Sequence, residues 1–248
     1  MPRSTLWFAC ILILLTPDLR AQVRVSAKPA EPIGWRARGI GGGGALFSVS
    51  VSPHDSDLVF MATDMSSVFR SRNFGASWGM VPFQALTGGI DTTVRFTSSP
   101  DILYAITIGA FDERIAVRST DGGATFLPLA GDPASGESFT LLADVTHTGK
   151  VLLSSWDQLY FSSNGGVNFS AAYDASSDPS GLLVAGSVSV GDDIFVGTNQ
   201  GLIVSLNGGT SFALDGTPGI PGNEAMAGFA GGTVGGQVRL FALTFPQG

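Results

Sequence analysis

The chain has 248 residues, 34 of them glycine, with 44% hydrophobic and only 13% charged residues and a formal net charge of −7. That hydrophobic share is ample for a core and excludes a disordered chain. The acidic balance, with no long Lys/Arg run, excludes non-specific attraction to nucleic acid. Sparse charge, abundant glycine and many strand-forming residues describe short strands joined by tight turns, an all-β chain.

Residues 1–21 read as a secretory signal, with an uncleaved anchor as the alternative. Arg3 supplies the positive start, and Leu6 to Leu15 form an apolar run too short to span a bilayer. Pro17 breaks the run, and Leu19-Arg20-Ala21 ends in a small residue, which predicts cleavage before Gln22. The expected location is secreted or periplasmic, with no membrane attachment once the signal is removed. Cys10, the only cysteine, lies inside the signal, and Trp7-Phe8-Ala9 ahead of it make no lipoprotein site. The mature chain therefore has no thiol, disulfide or Cys-ligated zinc. Residues 22–44 form a lead-in ending in Gly41–Gly44. No Lys-Ser/Thr pair or helix follows that string, so it is not a phosphate loop; it lets the chain enter the first repeat closely packed.

From residue 45 one pattern recurs. The first repeat (45–83) alternates apolar and polar over Ala45–Ser52, turns at Pro53-His54-Asp55-Ser56, and predicts further strands over Asp57–Thr63, Ser67–Ser71 and Trp78–Phe83. The second (93–130) predicts Thr93–Thr97, Ile102–Ile108, Arg114–Ser119 and Thr125–Leu129. The third (138–173) predicts Phe139–Val145, Lys150–Ser155, Gln158–Ser162 and Asn168–Tyr173. The fourth (182–214) predicts Leu182–Val190, Asp192–Gly197, Gly201–Ser205 and Ser211–Leu214.

In each repeat the last two strands are joined by a boxed turn of pattern Ser-x-(Asp/Asn)-x-Gly-x-(Ser/Thr/Asn)-(Trp/Phe), starting at Ser71, Ser119, Ser162 and Ser205 in steps of 48, 43 and 43 residues. That is the period of one propeller blade, about 40–50 residues, and four strands per period predict a β-propeller of four-stranded antiparallel blades. A fifth repeat (224–248) offers only Glu224–Gly231 and Gln237–Thr244. Six or seven blades need about 260–300 residues, so the expectation is an incomplete, N-terminal part of a six- to seven-bladed or larger propeller. A five-bladed ring finished by strands lent from elsewhere is the alternative.

The boxes are expected to be structural. Asn73, Asp121, Asn164 and Asn207 can hold local backbone N–H groups, while Gly75, Gly123, Gly166 and Gly209 supply the positive φ of a tight turn. Trp78, Phe126, Phe169 and Phe212 pack into the blade interior. None of them is expected to be a catalytic carboxylate or a calcium ligand.

Function is expected on the opposite face, where second and third strands are joined and blade follows blade. Its loops carry Asp64, Trp156, Asp157, Asn199 and Gln200, with Asp91, Glu137, Asp178 and Glu224 between blades. Trp156, Asp157, Asp91, Asn199 and Gln200 are candidate ligand-binding residues. An aromatic ring beside amides and carboxylates suits a polysaccharide or other glycan, and paired carboxylates suit glycoside hydrolysis. A solvated acidic rim is the alternative for any one of them. His54 and His147 have no ligand set around them, so neither a metal site nor a Ser-His-Asp triad is expected, and no cofactor is implied.

The four boxes resemble the Asp-box, or BNR, repeats shared by sialidases, sortilin-type domains and xyloglucan hydrolases. The stretch Gly41-Gly42-Gly43-Gly44-Ala45, Ser52-Pro53-His54-Asp55 and Asp57 to Ser71 is similar to the opening blade of family-74-type xyloglucanases. There a Gly-rich lead-in precedes a strand ending in Thr-Asp-x-Gly-Gly-x-Tyr-Arg. The resemblance implies that Asp64 is one of two catalytic carboxylates. Ser66-Ser67 replace the family's Gly-Gly, and the second carboxylate of that family comes from a second propeller across a cleft. Asp64 alone does not supply both acid and base.

The implied function is an exported propeller associated with carbohydrate binding or polysaccharide degradation, this segment not catalytic alone. The alternative is a sortilin-like scaffold that binds a peptide or protein ligand without enzymatic activity. An assembly factor resembling the photosystem-associated Asp-box propellers is a third reading. Sialidase chemistry fits worse: Arg114-Ile115-Ala116 lacks the proline of an Arg-Ile-Pro motif, and Tyr104, Tyr160 and Tyr173 fall in predicted strands.

Overall fold

The computed structural model describes residues 45–216, 220 and 223–246. The signal and the Gly-rich lead-in of the sequence reading lie outside these residues. The described chain is built from strands alone. Four sheets follow one another in sequence: β1 (Leu46–Val51), β2 (Leu58–Thr63), β3 (Val68–Arg72) and β4 (Gly79–Met80); then β5 (Arg95–Phe96), β6 (Leu103–Ile108), β7 (Arg114–Ser119) and β8 (Leu127–Pro128). The third holds β9 (Thr140–Ala143), β10 (Val151–Ser154), β11 (Gln158–Ser162) and β12 (Ser170–Asp174), and the fourth β13 (Val184–Val190), β14 (Asp193–Thr198), β15 (Gly201–Ser205) and β16 (Ala213–Asp215). Each sheet is an antiparallel meander in chain order, and a two-stranded sheet of β17 (Glu224–Val234) and β18 (Gln237–Pro246) follows. This is the blade order of a β-propeller.

Strands two and three of each blade fall within a residue of their predicted bounds, whereas the fourth strands are shorter. Trp78–Phe83 contracts to Gly79–Met80 and Thr125–Leu129 to Leu127–Pro128. A fourth strand has a ladder on one side only, and Pro82 and Pro128 bring no N–H to extend it. The fifth hairpin is longer than predicted, because the Gly231-Gly232 stretch continues the ladder to a turn at Gly235-Gly236, both at positive φ.

The core lies between blades. Phe60, Val68, Phe96, Leu103, Val117 and Phe126 join blades one and two. Tyr104, Leu129, Leu141, Val151 and Leu153 join two and three. Leu152, Phe161, Ile194, Val196 and Ile203 join three and four. Blade five docks through Phe229, whose ring and backbone sit where a Cβ on Gly186 or Gly197 would stand. Those two glycines are direct partners across the β13–β14 ladder and leave the groove open.

The boxed turns explain the packing at the blade tips. In the first box the Ser71 hydroxyl accepts the Gly75 N–H at 2.8 Å and donates to Asn73 Oδ1 at 3.0 Å, which accepts the Ser77 N–H at 2.8 Å. Ser119, Ser162 and Ser205 each accept the matching glycine N–H at 2.9 Å, and Asp121, Asn164 and Asn207 each take the N–H four residues on. The four glycines have φ of 78°, 81°, 83° and 90°. The closing aromatics Phe126, Phe169 and Phe212 pack toward the preceding blade as well as into their own, and Phe212 meets Phe161 of blade three at 5.6 Å between centroids.

Candidate functional site

The meander sends the β2–β3, β6–β7, β10–β11 and β14–β15 turns to one face, opposite the boxes, together with the connections between blades. On this face three interblade connections press a glycine onto the preceding turn. A Cβ at Gly88 would stand 2.8 Å from Ser67 O, one at Gly136 3.3 Å from Glu113 Cβ, and one at Gly181 2.7 Å from Trp156 Cε2. Only glycine permits such approach.

Asp64 begins the first turn. Its N–H donates to Ala45 O at 3.2 Å, tying the turn to the start of the inner strand, and its side chain is exposed with no partner among the described residues. Thr63 Oγ1 braces the turn, donating to Ser67 O and accepting from Met65 N–H. Ser66 adopts φ 61°, the left-handed region where glycine is at ease, so the serine here carries a strain that glycine would relieve.

Asp91, Trp156, Asn199 and Gln200 belong to one connected string across three blades. Asp91 Oδ2 accepts from Arg114 Nε at 3.0 Å, and the Arg114 guanidinium lies 4.6 Å over the Phe139 ring. Phe139 meets Trp156 edge-on, 5.9 Å between centroids at 61°. Trp156 is 52% exposed, backed by Gly181, and its carbonyl accepts the Leu182 N–H at 2.6 Å. Gly181 O in turn accepts from Asn199 Nδ2 at 2.9 Å and Gln200 Nε2 at 3.3 Å, while Tyr173 OH donates to Gln200 Oε1 at 3.1 Å.

The string holds Trp156 as a fixed plane with one side open. Asn199 is 5% exposed, and its carbonyl oxygen also accepts the Leu183 N–H at 2.8 Å, so its amide anchors backbone. Asp157 is half-buried beside Trp156, its backbone carbonyl holding the Ala175 N–H at 2.7 Å. Asp64 is joined to this string by no hydrogen bond or ring contact among the described residues. Among those residues no group of three His, Cys, Asp or Glu side chains could hold a metal ion.

Arg114, Phe139 and Tyr173 complete the string and were not among the candidates. Arg114 and Phe139 begin predicted strands, and the alternation that marks a strand says nothing about which residue stands at its mouth end. The signal for Arg114 and Phe139 lay in position, at the start of a predicted strand immediately after a mouth-side connection, and that for Tyr173 in closing a predicted strand just before one.

No protein-family model and no curated protein matches the chain. Among solved structures, the GH74 xyloglucanase from Xanthomonas campestris is similar with a TM-score of 0.59 and 22% identity, over 82% of this chain and 34% of that one. An ancestral GH74 enzyme follows with 0.57 and 20%, over 74% and 25%. The extracellular domain of a one-component system from B. thetaiotaomicron has 0.52 and 11%, over 75% and 25%. The chain spans about a quarter to a third of the length of these structures. At such identities the likeness is one of fold, and the fold it shows is the β-propeller.

Proposed function

We propose that the mouth face binds a neutral glycan chain, with Trp156 as the stacking surface, and that this segment acts by binding rather than by catalysis. The observation that carries the reading is the half-exposed Trp156 plane, fixed between Phe139 and Gly181. A rigid aromatic loses little entropy on contact, and its apolar face suits the C–H face of a sugar. Asp157 and Gln200 flank it with groups able to bond sugar hydroxyls. The Asp91 charge is spent on Arg114, and the remaining Asp64, Asp157 and Asp178 disfavour acidic sugars. The likeness in fold to GH74 propellers is in keeping with a polysaccharide ligand and an extracytoplasmic setting. Asp64 is the candidate for a catalytic role, and hydrolysis needs a second carboxylate, whereas the Asp91 carboxylate of the string is paired with Arg114.

Titration of the full chain with xyloglucan and mixed β-glucan oligosaccharides, followed by tryptophan fluorescence and calorimetry, tests the reading. Saturable binding that falls by about tenfold or more, about 1.4 kcal/mol, in Trp156→Ala supports it. Binding unchanged in that variant, or binding of peptides and not of glycans, overturns it.

A further inference from the structure

A second candidate site lies away from the mouth string, in a cavity of about 440 Å³ along the propeller axis. The inner strands of all five sheets contribute to it, β1, β5, β9, β13 and β17. Among the described residues, Arg95 is the only ionisable side chain in its lining. We propose that this cavity binds a small oxyanion, a sulfate, phosphate or carboxylate group, on the Arg95 guanidinium.

An arginine carries five N–H donors in a planar fork. Arg95 spends one of them, Nε, on Leu141 O of the neighbouring blade at 3.1 Å. Its terminal nitrogens have no acceptor and no carboxylate partner among the described residues. The other interblade arginines are provided for differently. Arg114 pairs with Asp91, Arg70 donates to Gly123 O with Asp121 nearby, and Arg118 lies over the Tyr104 ring, although its buried Nε has no hydrogen-bond partner among the described residues. Burial alone acts on Arg95 and holds its guanidinium below the ordinary arginine value, with no neighbouring charge to offset the loss of water. A half-buried cation without a counter-charge is partly desolvated at a cost, and an anion on the open fork relieves that cost.

The rest of the lining agrees. Thr93, Thr140 and Ser187 border the cavity, and none of their hydroxyls has a partner among the described residues. Ala185, which the bulge leaves out of the β13–β14 ladder, borders it too. Among the described residues no Asp or Glu stands in the lining to repel an anion, although the chain as a whole is acidic. At about 30 Å³ per water the space accommodates a tetrahedral oxyanion with several waters. The fork matches sulfate, phosphate and carboxylate alike, because each offers two oxygens to parallel N–H groups.

Calorimetry of the full chain with sulfate, phosphate and acetate, each against chloride at matched ionic strength, tests the site in the wild type, Arg95→Met and Arg95→Lys. The expected result is saturable, one-to-one oxyanion binding, weakened at least about tenfold by Arg95→Met and to a lesser degree by Arg95→Lys, which keeps charge but loses the fork. Should Arg95→Met not fold, the Arg95→Lys comparison decides, and equal affinity there overturns the proposal. An absence of saturable binding, or binding unchanged in Arg95→Met, overturns it as well. Melting curves that rise equally in all three proteins would mark general salt exclusion, which also counts against a site. Trp156→Ala leaves this binding unchanged, so the result stands or falls apart from the glycan reading.

Discussion

The two ends of each blade are built on opposite plans. On the box face one hydrogen-bond scheme is repeated four times, with the serine oxygen on the glycine N–H at 2.8–2.9 Å in every copy. On the mouth face the first and fourth turns share a threonine brace, Thr63 and Thr198, but the side chains the four turns present have no common scheme. Asp64 is exposed and without a side-chain partner among the described residues, Trp156 is propped on Phe139, and Asn199 is buried under backbone. Repetition on one face marks what every blade needs to pack. Divergence on the other marks what individual blades are free to do.

That comparison is broken most severely at a box glycine. A Cβ at Gly209 would overlap the Phe161 ring, itself packed against Phe212, and the residue sits at φ +90°. Gly209→Ala is expected to lose about 2–4 kcal/mol, the sum of left-handed strain and overpacking. Chemical denaturation checks it. Gly191 has φ +62° and open space around it, so it supplies the strain alone and calibrates the packing share.

A smaller effect sharpens the likeness among boxes. Asp121 is the one carboxylate among four otherwise amide positions, and the Thr125 hydroxyl at 2.6 Å, then the Thr125 N–H, with Ser119 and Ala124, hold its pKa down to about 2. Its folded value lies below the unfolded 3.8, so the folded state binds fewer protons between the two. The stabilisation is therefore present above pH 3.8 and lost as pH falls toward 2. Asp121 is exposed, and solvent screening keeps the contribution under about 1 kcal/mol. Asp121→Asn should flatten the stability curve of the wild type over that window and leave neutral-pH stability nearly unchanged, as the Asn73 and Asn207 amides bond Ser77 and Ser211 at 2.8 Å. Melting temperatures from pH 2 to 5 measure the difference, and equal slopes refute it.

The fold was legible because its information is local and repeated. A box of eight residues states its own turn, its φ requirement and its bonds, and the 43-residue step states the blade. The mouth was legible only as a list of residues. Nothing in Asn199 as a letter distinguishes a ligand amide from a clamp on Gly181 O and Leu183 N–H, since both partners come from the next connection in space. Arg114 and Arg95 escaped for the same reason. Each is defined by what lies across a blade boundary, Phe139 and Asp91 for one, Leu141 O and an axial cavity for the other.

The smallest expected effect is the most informative about the mouth. Asp64 and Asn199 hold equivalent places, each the first residue past a second strand, with N–H groups donating to Ala45 O and Leu183 O at 3.2 and 3.0 Å. One side chain is tied into the fold and the other is not. Asp64→Ala removes no side-chain bond to another described residue and no packed surface, so its stability should stay within about 0.5 kcal/mol of the wild type. A loss above about 1 kcal/mol would reveal a structural role and end its candidacy as a functional carboxylate. Unchanged stability leaves a charged side chain that the fold maintains at the mouth without using it, and any change in glycan affinity in the same variant is then an effect on the ligand alone.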